Sequence, residues 1–186
     1  MSVLVSVKKV RDCWFAVALN DQNELAASTI SKRGKHDIEV SLDSVLRRFD
    51  RVERRADAHA RRLIEALYDM YQGKPTSIDT RLSMNHITPF HQAVYEKTRS
   101  IPIGRVATYG AIARSLRSRA SRAVGHAMAM NPFVLVVPCH RVVRSTLEIG
   151  NYGRGPEVKR ELLRREGVFF AGQKVSPVSV WMPPPR

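Results

Sequence analysis

One stretch of this chain gathers residue types able to do covalent chemistry: Pro138-Cys139-His140-Arg141-Val142-Val143. Cys139 is one of only two cysteines in 186 residues, and a histidine and an arginine follow it directly. A thiol flanked by cations is biased toward thiolate, the form that attacks electrophiles. Adjacent cysteine and histidine make a poor dyad for acyl transfer, because such partners usually come from separate elements. That counts against a cysteine hydrolase using Cys139, His140 and Glu166. Ordered motifs surround the thiol: Arg122-Ala123-Val124-Gly125 and Asn131-Pro132 before it, Gly150-Asn151-Tyr152-Gly153 and Glu166-Gly167 after it.

Taken together and in this order, over roughly residues 88–167, these motifs resemble those of the O6-alkylguanine-DNA alkyltransferases, the methylated-DNA–protein-cysteine methyltransferases. The N-terminal third resembles them only weakly. The resemblance implies a DNA repair protein that needs no cofactor. Cys139 would take the alkyl group, mainly methyl, from O6 of a guanine flipped out of double-stranded DNA. Transfer would be irreversible, so each molecule acts once. A sensor of alkylated DNA that binds without accepting the group is the alternative reading. Such alkyltransferase-like proteins replace the reactive cysteine, commonly with tryptophan, and Cys139 is present here.

The same resemblance assigns roles. His140 would act as base on the thiol through a bridging water, with Glu166 orienting and charge-stabilising it. Tyr109 would donate to a ring nitrogen of the leaving guanine as charge develops. Asn131 would tie the recognition helix to the active segment. The carbonyls of Cys139 and Val142 would receive the exocyclic amine, the Gly153 N–H would meet O6, and Lys159 would lie near the O6 side. Tyr152 and Met128 are candidate pocket walls. Base extrusion is required because the O6 substituent lies inside the stack, and Arg122 would fill the gap left behind.

The DNA-binding reading also has support from the residues themselves. Lys and Arg number 31 against 17 Asp and Glu, a formal net charge of +14, and such a surplus favours polyanions, nucleic acid first. Stepped at 100° per residue, Arg122, Gly125, His126 and Ala129 share one helical face, and Val124, Ala127 and Met128 the opposite one. That outer face is small and basic, and Ala123 of the Arg-Ala-Val-Gly motif is a further DNA-binding candidate. Helix-turn-helix proteins usually read the major groove with long polar side chains; Gly125 and Ala129 cannot, so close minor-groove approach is expected. Arg114, Arg117, Arg119 and Arg122 would hold phosphates. A plain helix-turn-helix regulator would leave the cysteine motif unexplained. Three positions depart from the family pattern: His91, Tyr95 and His126. The first two read as structural, and His126 stands where a second glycine is common.

The elements that must position these residues follow from pattern. Alternation at Val3, Val5 and Val7 predicts a first strand, and Trp14 to Leu19 with Leu25 to Ile30 predict a hairpin about Asn20-Asp21-Gln22-Asn23. Ser41 is expected to cap a helix presenting Leu42, Val45, Leu46 and Phe49. A longer helix is expected from about Glu53 to Tyr71, ended by Gly73 and Pro75, then a short strand near Ile78 to Leu82. Thr88-Pro89 opens another helix, Thr108 caps the next and Ser121 the one after, the last two forming the helix-turn-helix. The expected class is α+β. It comprises an N-terminal α/β domain over 1–82, ribonuclease-H-like by the resemblance, a linker at 83–87, a mostly helical domain with a winged helix-turn-helix over 88–175, and a tail over 176–186, frayed at Pro183-Pro184-Pro185. Two cysteines exclude a disulfide scaffold. Cys13 reads as a buried inert thiol, and with His36 far away in sequence no metal is expected. No signal or membrane-spanning run is apparent. A cytoplasmic monomer bound to double-stranded DNA is the expectation.

Overall fold

A computed structural model describes residues 2–55 and 57–184. They divide into two compact units: Met1–Met70 with Pro75–His86 and Pro132–Val136, and Tyr71–Lys74 with Ile87–Asn131 and Val137–Arg186. The chain is mixed α+β, as expected.

In the first unit, β1 (Ser2–Val10), β2 (Cys13–Asn20) and β3 (Leu25–Ser31) form an antiparallel meander, and β4 (Arg51–Arg54) adds parallel to β1, giving the order β3-β2-β1-β4. Helix α1 (Lys35–Leu46) packs Ile38, Leu42 and Val45 against Val3, Val5, Ala16 and Ala18 on one face. On the other face Phe15 meets Tyr68 of α2 (Ala58–Tyr71) edge-on, with ring centroids 5.9 Å apart. Residues 132–136 lie beside β3, where Ser28 exchanges backbone bonds with Pro132 and Val134 at 2.8 and 3.1 Å.

Several expectations shift here. Helix α1 begins at Lys35 after Gly34, and Ser41 lies inside it, its hydroxyl donating to the Asp37 carbonyl at 2.5 Å. The helix expected from Glu53 starts later. Glu53 and Arg54 are drawn into β4 by pairing with β1, and Asp57 accepts from the N–H groups of His59 and Ala60 at 2.8 and 3.0 Å to cap α2. The strand expected near 78–82 reduces to one bridge, Leu25 with Leu82. Ser83, expected in the linker, donates its N–H to Leu25 O. Cys13 is fully buried beside the Ser31 carbonyl.

The second unit holds α3 (Pro89–Arg99), β5 (Ala107–Thr108), α4 (Tyr109–Ser115), α5 (Ser121–Ala129), β6 (Val142–Val143), α6 (Pro156–Arg165) and a hairpin of β7 (Phe170–Ala171) with β8 (Lys174–Val175). Thr88 and Thr108 accept from His91 N and Ala111 N and cap α3 and α4. Ser121 does not cap α5: it is that helix's first residue, after Ala120. The turn between α4 and α5 closes with Ser118 N–H on Ala113 O and Arg117 N–H on Arg114 O, a Schellman ending. Its left-handed position holds Arg117 at φ 55° instead of a glycine. In the tail, Val180 bridges Val106, Trp181 N–H reaches Val106 O at 2.7 Å, and Pro184, one of the prolines expected to fray, accepts from Lys97 Nζ at 2.9 Å. Pro185, expected there too, lies outside the described residues.

Candidate functional site

The cysteine is presented by a turn that its own sequence dictates. Pro138 adopts φ −78°, ψ 65°, and Cys139 N–H closes onto Val137 O at 2.7 Å. This is an inverse γ-turn, for which proline's fixed φ is suited. Arg141 N–H returns to Pro138 O at 2.9 Å, winding residues 139–141 into a 3-10 turn. The Asn131 side chain, two residues beyond α5, donates to the same Val137 carbonyl at 3.0 Å. The end of the helix-turn-helix is thereby fastened to the cysteine turn, the link expected of Asn131.

Tyr109 arrives by a different route. β5 pairs in parallel with β6, Ala107 opposite Val142 and Thr108 opposite Val143. Tyr109 follows at the first position of α4. Burial, then the neighbouring Cys139, raises its pKa above the ordinary tyrosine value, so it is a hydroxyl donor at neutral pH.

His140 is 1% exposed, and its Nε2 lies 2.8 Å from Glu166 Oε1. Burial would raise the Glu166 pKa, but the charge and hydrogen bond of His140, then the bonds and charge of Arg141, outweigh it and hold it at about 2. An ionised carboxylate only accepts, so Nε2 carries the proton. In the neutral ring Nδ1 is then a free acceptor, and this atom is buried without a hydrogen-bond partner. Arg141 grips Glu166 through Nε to Oε2 and Nη2 to Oε1, both 2.9 Å, and sends Nη1 to Ile101 O at 2.7 Å. Glu166 sits at the C-cap of α6. Gly167, at φ 81°, ends the helix, with Gly167 N–H on Arg164 O and Val168 N–H on Leu163 O. The Glu-Gly pair of the sequence is thus a helix stop that also delivers a carboxylate.

The thiol's electrostatics depart from the expectation. Cys139 is 7% exposed, and burial raises its pKa; the Asn131 hydrogen bond, the Lys159 charge and the Tyr152 hydroxyl pull back without prevailing. The resting group is the thiol. Sequence adjacency misled here because Arg141 is committed to Glu166, leaving Lys159 as the cation that acts on the sulfur. Lys159 itself is fully buried, donates to Val142 O at 2.7 Å, and is lowered by burial to about 8. The Val142 carbonyl expected to receive the guanine amine therefore already holds one donor. The Tyr152 hydroxyl is buried against the sulfur, and its pKa is pushed well up by that burial.

Cys139, His140, Glu166, Tyr109, Asn131, Tyr152, Lys159 and Val142 therefore converge. Gly153 is exposed with open space about it. Met128 turns elsewhere: it is buried, its sulfur 3.8 Å from the Thr98 hydroxyl of α3. Arg141 is the residue sequence reasoning passed over as a site member. The available signal was Glu166 itself, a buried carboxylate needing more than one donor.

On α5, Arg122, His126 and Ala129 are exposed, Ala123 and Gly125 half-buried, and Val124, Ala127 and Met128 buried, as the helical step predicts. Arg114, Arg117 and Arg119 are exposed alongside. Tyr95 is structural, its hydroxyl reaching Ala127 O at 3.0 Å. The His91 and His126 rings lie 5.5 Å apart. Among the described residues no group of three or more metal-ligating side chains occurs, and no helix is long and apolar enough to cross a membrane.

A helix-turn-helix fastened to a buried thiol with a His–Glu–Arg chain behind it defines a DNA-binding class with a nucleophilic centre. Residues 89–168 match the DNA-binding domain of 6-O-methylguanine DNA methyltransferase. The chain is 50% identical over 88 residues to the methylated-DNA–protein-cysteine methyltransferase of Thermococcus sibiricus, covering 47% of this chain and 49% of that protein. Against the Saccharolobus solfataricus protein of the same name the identity is 43% over 101 residues, 54% of this chain and 65% of that one. The aligned part thus spans about half to under two thirds of these curated relatives. The O6-methylguanine-DNA methyltransferase structure from the archaeon Pyrococcus kodakaraensis superposes with a TM-score of 0.72 at 31% identity, covering 88% of this chain and 99% of that one. The chain belongs to the methylated-DNA–protein-cysteine methyltransferase family.

Proposed function

We propose that this protein repairs O6-alkylguanine in double-stranded DNA by moving the alkyl group, mainly methyl, onto Cys139 in a single irreversible turnover. The observation that carries this reading is the buried Cys139 thiol with Asn131, Lys159 and Tyr152 acting on it and, next to it, His140, held by Glu166 through Nε2 with its Nδ1 unpartnered. Family membership and the matched DNA-binding domain support the choice of substrate. The exposed α5 face enters the minor groove, Arg122 fills the vacated stack, and Arg117 and Arg119 hold phosphates. The protein acts as a monomer in the cytoplasm.

In the reaction the S–H proton passes to His140 Nδ1 through a bridging water, and sulfur attacks the alkyl carbon as its bond to O6 breaks. The departing electron pair enters the purine ring, where the Tyr109 hydroxyl stabilises it by hydrogen bonding to a ring nitrogen. The proton lost by sulfur is balanced by the one guanine regains. The second lone pair of Val142 O, the Cys139 carbonyl and the Gly153 N–H read the base. Because the thiol rests protonated, deprotonation belongs to the reaction itself, and stray alkylators meet little thiolate.

Mass spectrometry after incubation with DNA carrying O6-methylguanine tests this. One added methyl per protein is expected, retained in Cys13→Ala and absent in Cys139→Ala. Lesion binding with no mass gain in the wild type would replace transfer by sensing.

A further inference from the structure

We propose that the first unit holds a second site, a pocket for a nucleotide-sized phosphate ester, independent of the thiol chemistry. Strand β4 ends at Arg54 while β1 runs on to Val10, so the outer edge of β1 beyond Val5 has no strand beside it among the described residues. A cavity of about 300 Å³ opens there, flanked by α1 on one side and α2 on the other. That volume is at the lower end of small-molecule sites.

The lining is unusual in charge. Lys8, Lys35, Arg54, Arg55 and Arg61 surround it against a single acid, Glu39, while Val5, Val7 and Ile64 supply apolar surface. Three exposed cations elsewhere in this unit find carboxylates: Arg47 with Asp43 at 2.6 Å, Arg51 with Glu53 at 3.0 Å, Lys32 with Asp12 at 3.4 Å. Among the described residues, Lys8, Lys35, Arg54 and Arg61 have no carboxylate within 4.0 Å, and Arg55 reaches only Glu53 at that distance. Lys35 is moreover the first residue of α1, whose cap, Gly34, makes no side-chain bond, so the helix dipole adds to the positive potential.

Like charges gathered around one concavity repel unless an anion enters. Guanidinium groups suit phosphate oxygens by their paired donors, and the apolar surface offers room for a planar base. A nucleoside phosphate combines both. It can arrive free or as a nucleotide within a DNA strand, and the chemistry of capture is the same.

The test compares full-length wild type with Arg54→Gln/Arg61→Gln and with the control Arg47→Gln, each checked for an unchanged circular dichroism spectrum. Calorimetric titration uses dGMP and inorganic phosphate; a separate titration uses undamaged duplex across a salt series. Wild type is expected to bind dGMP more tightly than phosphate, with about tenfold loss for each guanidinium removed and no loss in the control. If the duplex is the source, the salt slope also falls by about 1.8 in the double variant; an unaltered slope with weakened dGMP binding assigns the pocket to free nucleotide. If both titrations of the double variant match those of Arg47→Gln, the proposal is overturned.

Discussion

Replacing Glu166 by glutamine tests whether the carboxylate does what its surroundings require. Three donors converge on it: His140 Nε2–H, Arg141 Nε–H and Arg141 Nη2–H, at 2.8, 2.9 and 2.9 Å. A carboxamide of the same shape offers one acceptor oxygen and turns an NH₂ toward a donor. The charge contribution follows from the pKa, about 2 against an ordinary 4.5, which at 1.36 kcal/mol per pH unit is about 3 kcal/mol of folding free energy. Removing one partner of a buried pair typically costs ~3–5 kcal/mol; Arg141 retains 16% exposure and can take up water, which favours the lower figure. Because the folded pKa is depressed, this stability is complete above pH 4.5 and lost as pH falls toward 2. Urea denaturation of wild type and Glu166→Gln should therefore differ by about 3 kcal/mol at pH 7 and by under about 1 kcal/mol at pH 2.5. A gap of equal size at both pH values, or none at pH 7, would refute the argument. Single-turnover methyl transfer at pH 7 should slow by about 10²-fold as His140 loses its fixed tautomer.

Three further outcomes are expected. Arg117→Gly relieves a left-handed side-chain residue, so the protein should gain about 1 kcal/mol in thermal denaturation while the salt slope of DNA binding falls by about 0.9; a loss of stability would contradict the turn geometry. In Lys159→Met made in a Cys13→Ala background, iodoacetamide modification of Cys139 should require higher pH than in Cys13→Ala alone, because the cation that lowers the thiol pKa is gone; coincident profiles would show that Lys159 does not act on the sulfur. Methylation of Cys139 should lower the melting temperature, since an added carbon in this packed site costs ~1–3 kcal/mol through overpacking, and a melting point at or above that of the free protein would refute it.

The site was legible where a residue's local role and its chemical role coincide. Pro138 sets the turn that presents Cys139, Thr108 caps the helix that carries Tyr109, and Gly167 stops the helix that carries Glu166, so each motif reads directly as geometry. The α5 face followed from helical spacing alone. What failed depended mostly on pairing between distant segments, and in one case on where a helix starts. Glu53 looks helical until β1 claims it for β4. Ser41 is a good cap residue in the wrong turn, because Gly34 had already started the helix. The thiol's protonation state could not be read from neighbours in sequence, since Arg141 faces Glu166 and the acting cation, Lys159, lies twenty residues downstream on α6. Residues 179–181 lie in what the pattern gives only as a tail, yet their backbone completes a pairing with Val106.

Placing Glu166 at the last turn of α6 has a consequence for how the molecule fails. Fraying of that single turn would release the imidazole and the guanidinium together, so heat or acid damage removes the proton acceptor in one step instead of leaving it misaligned.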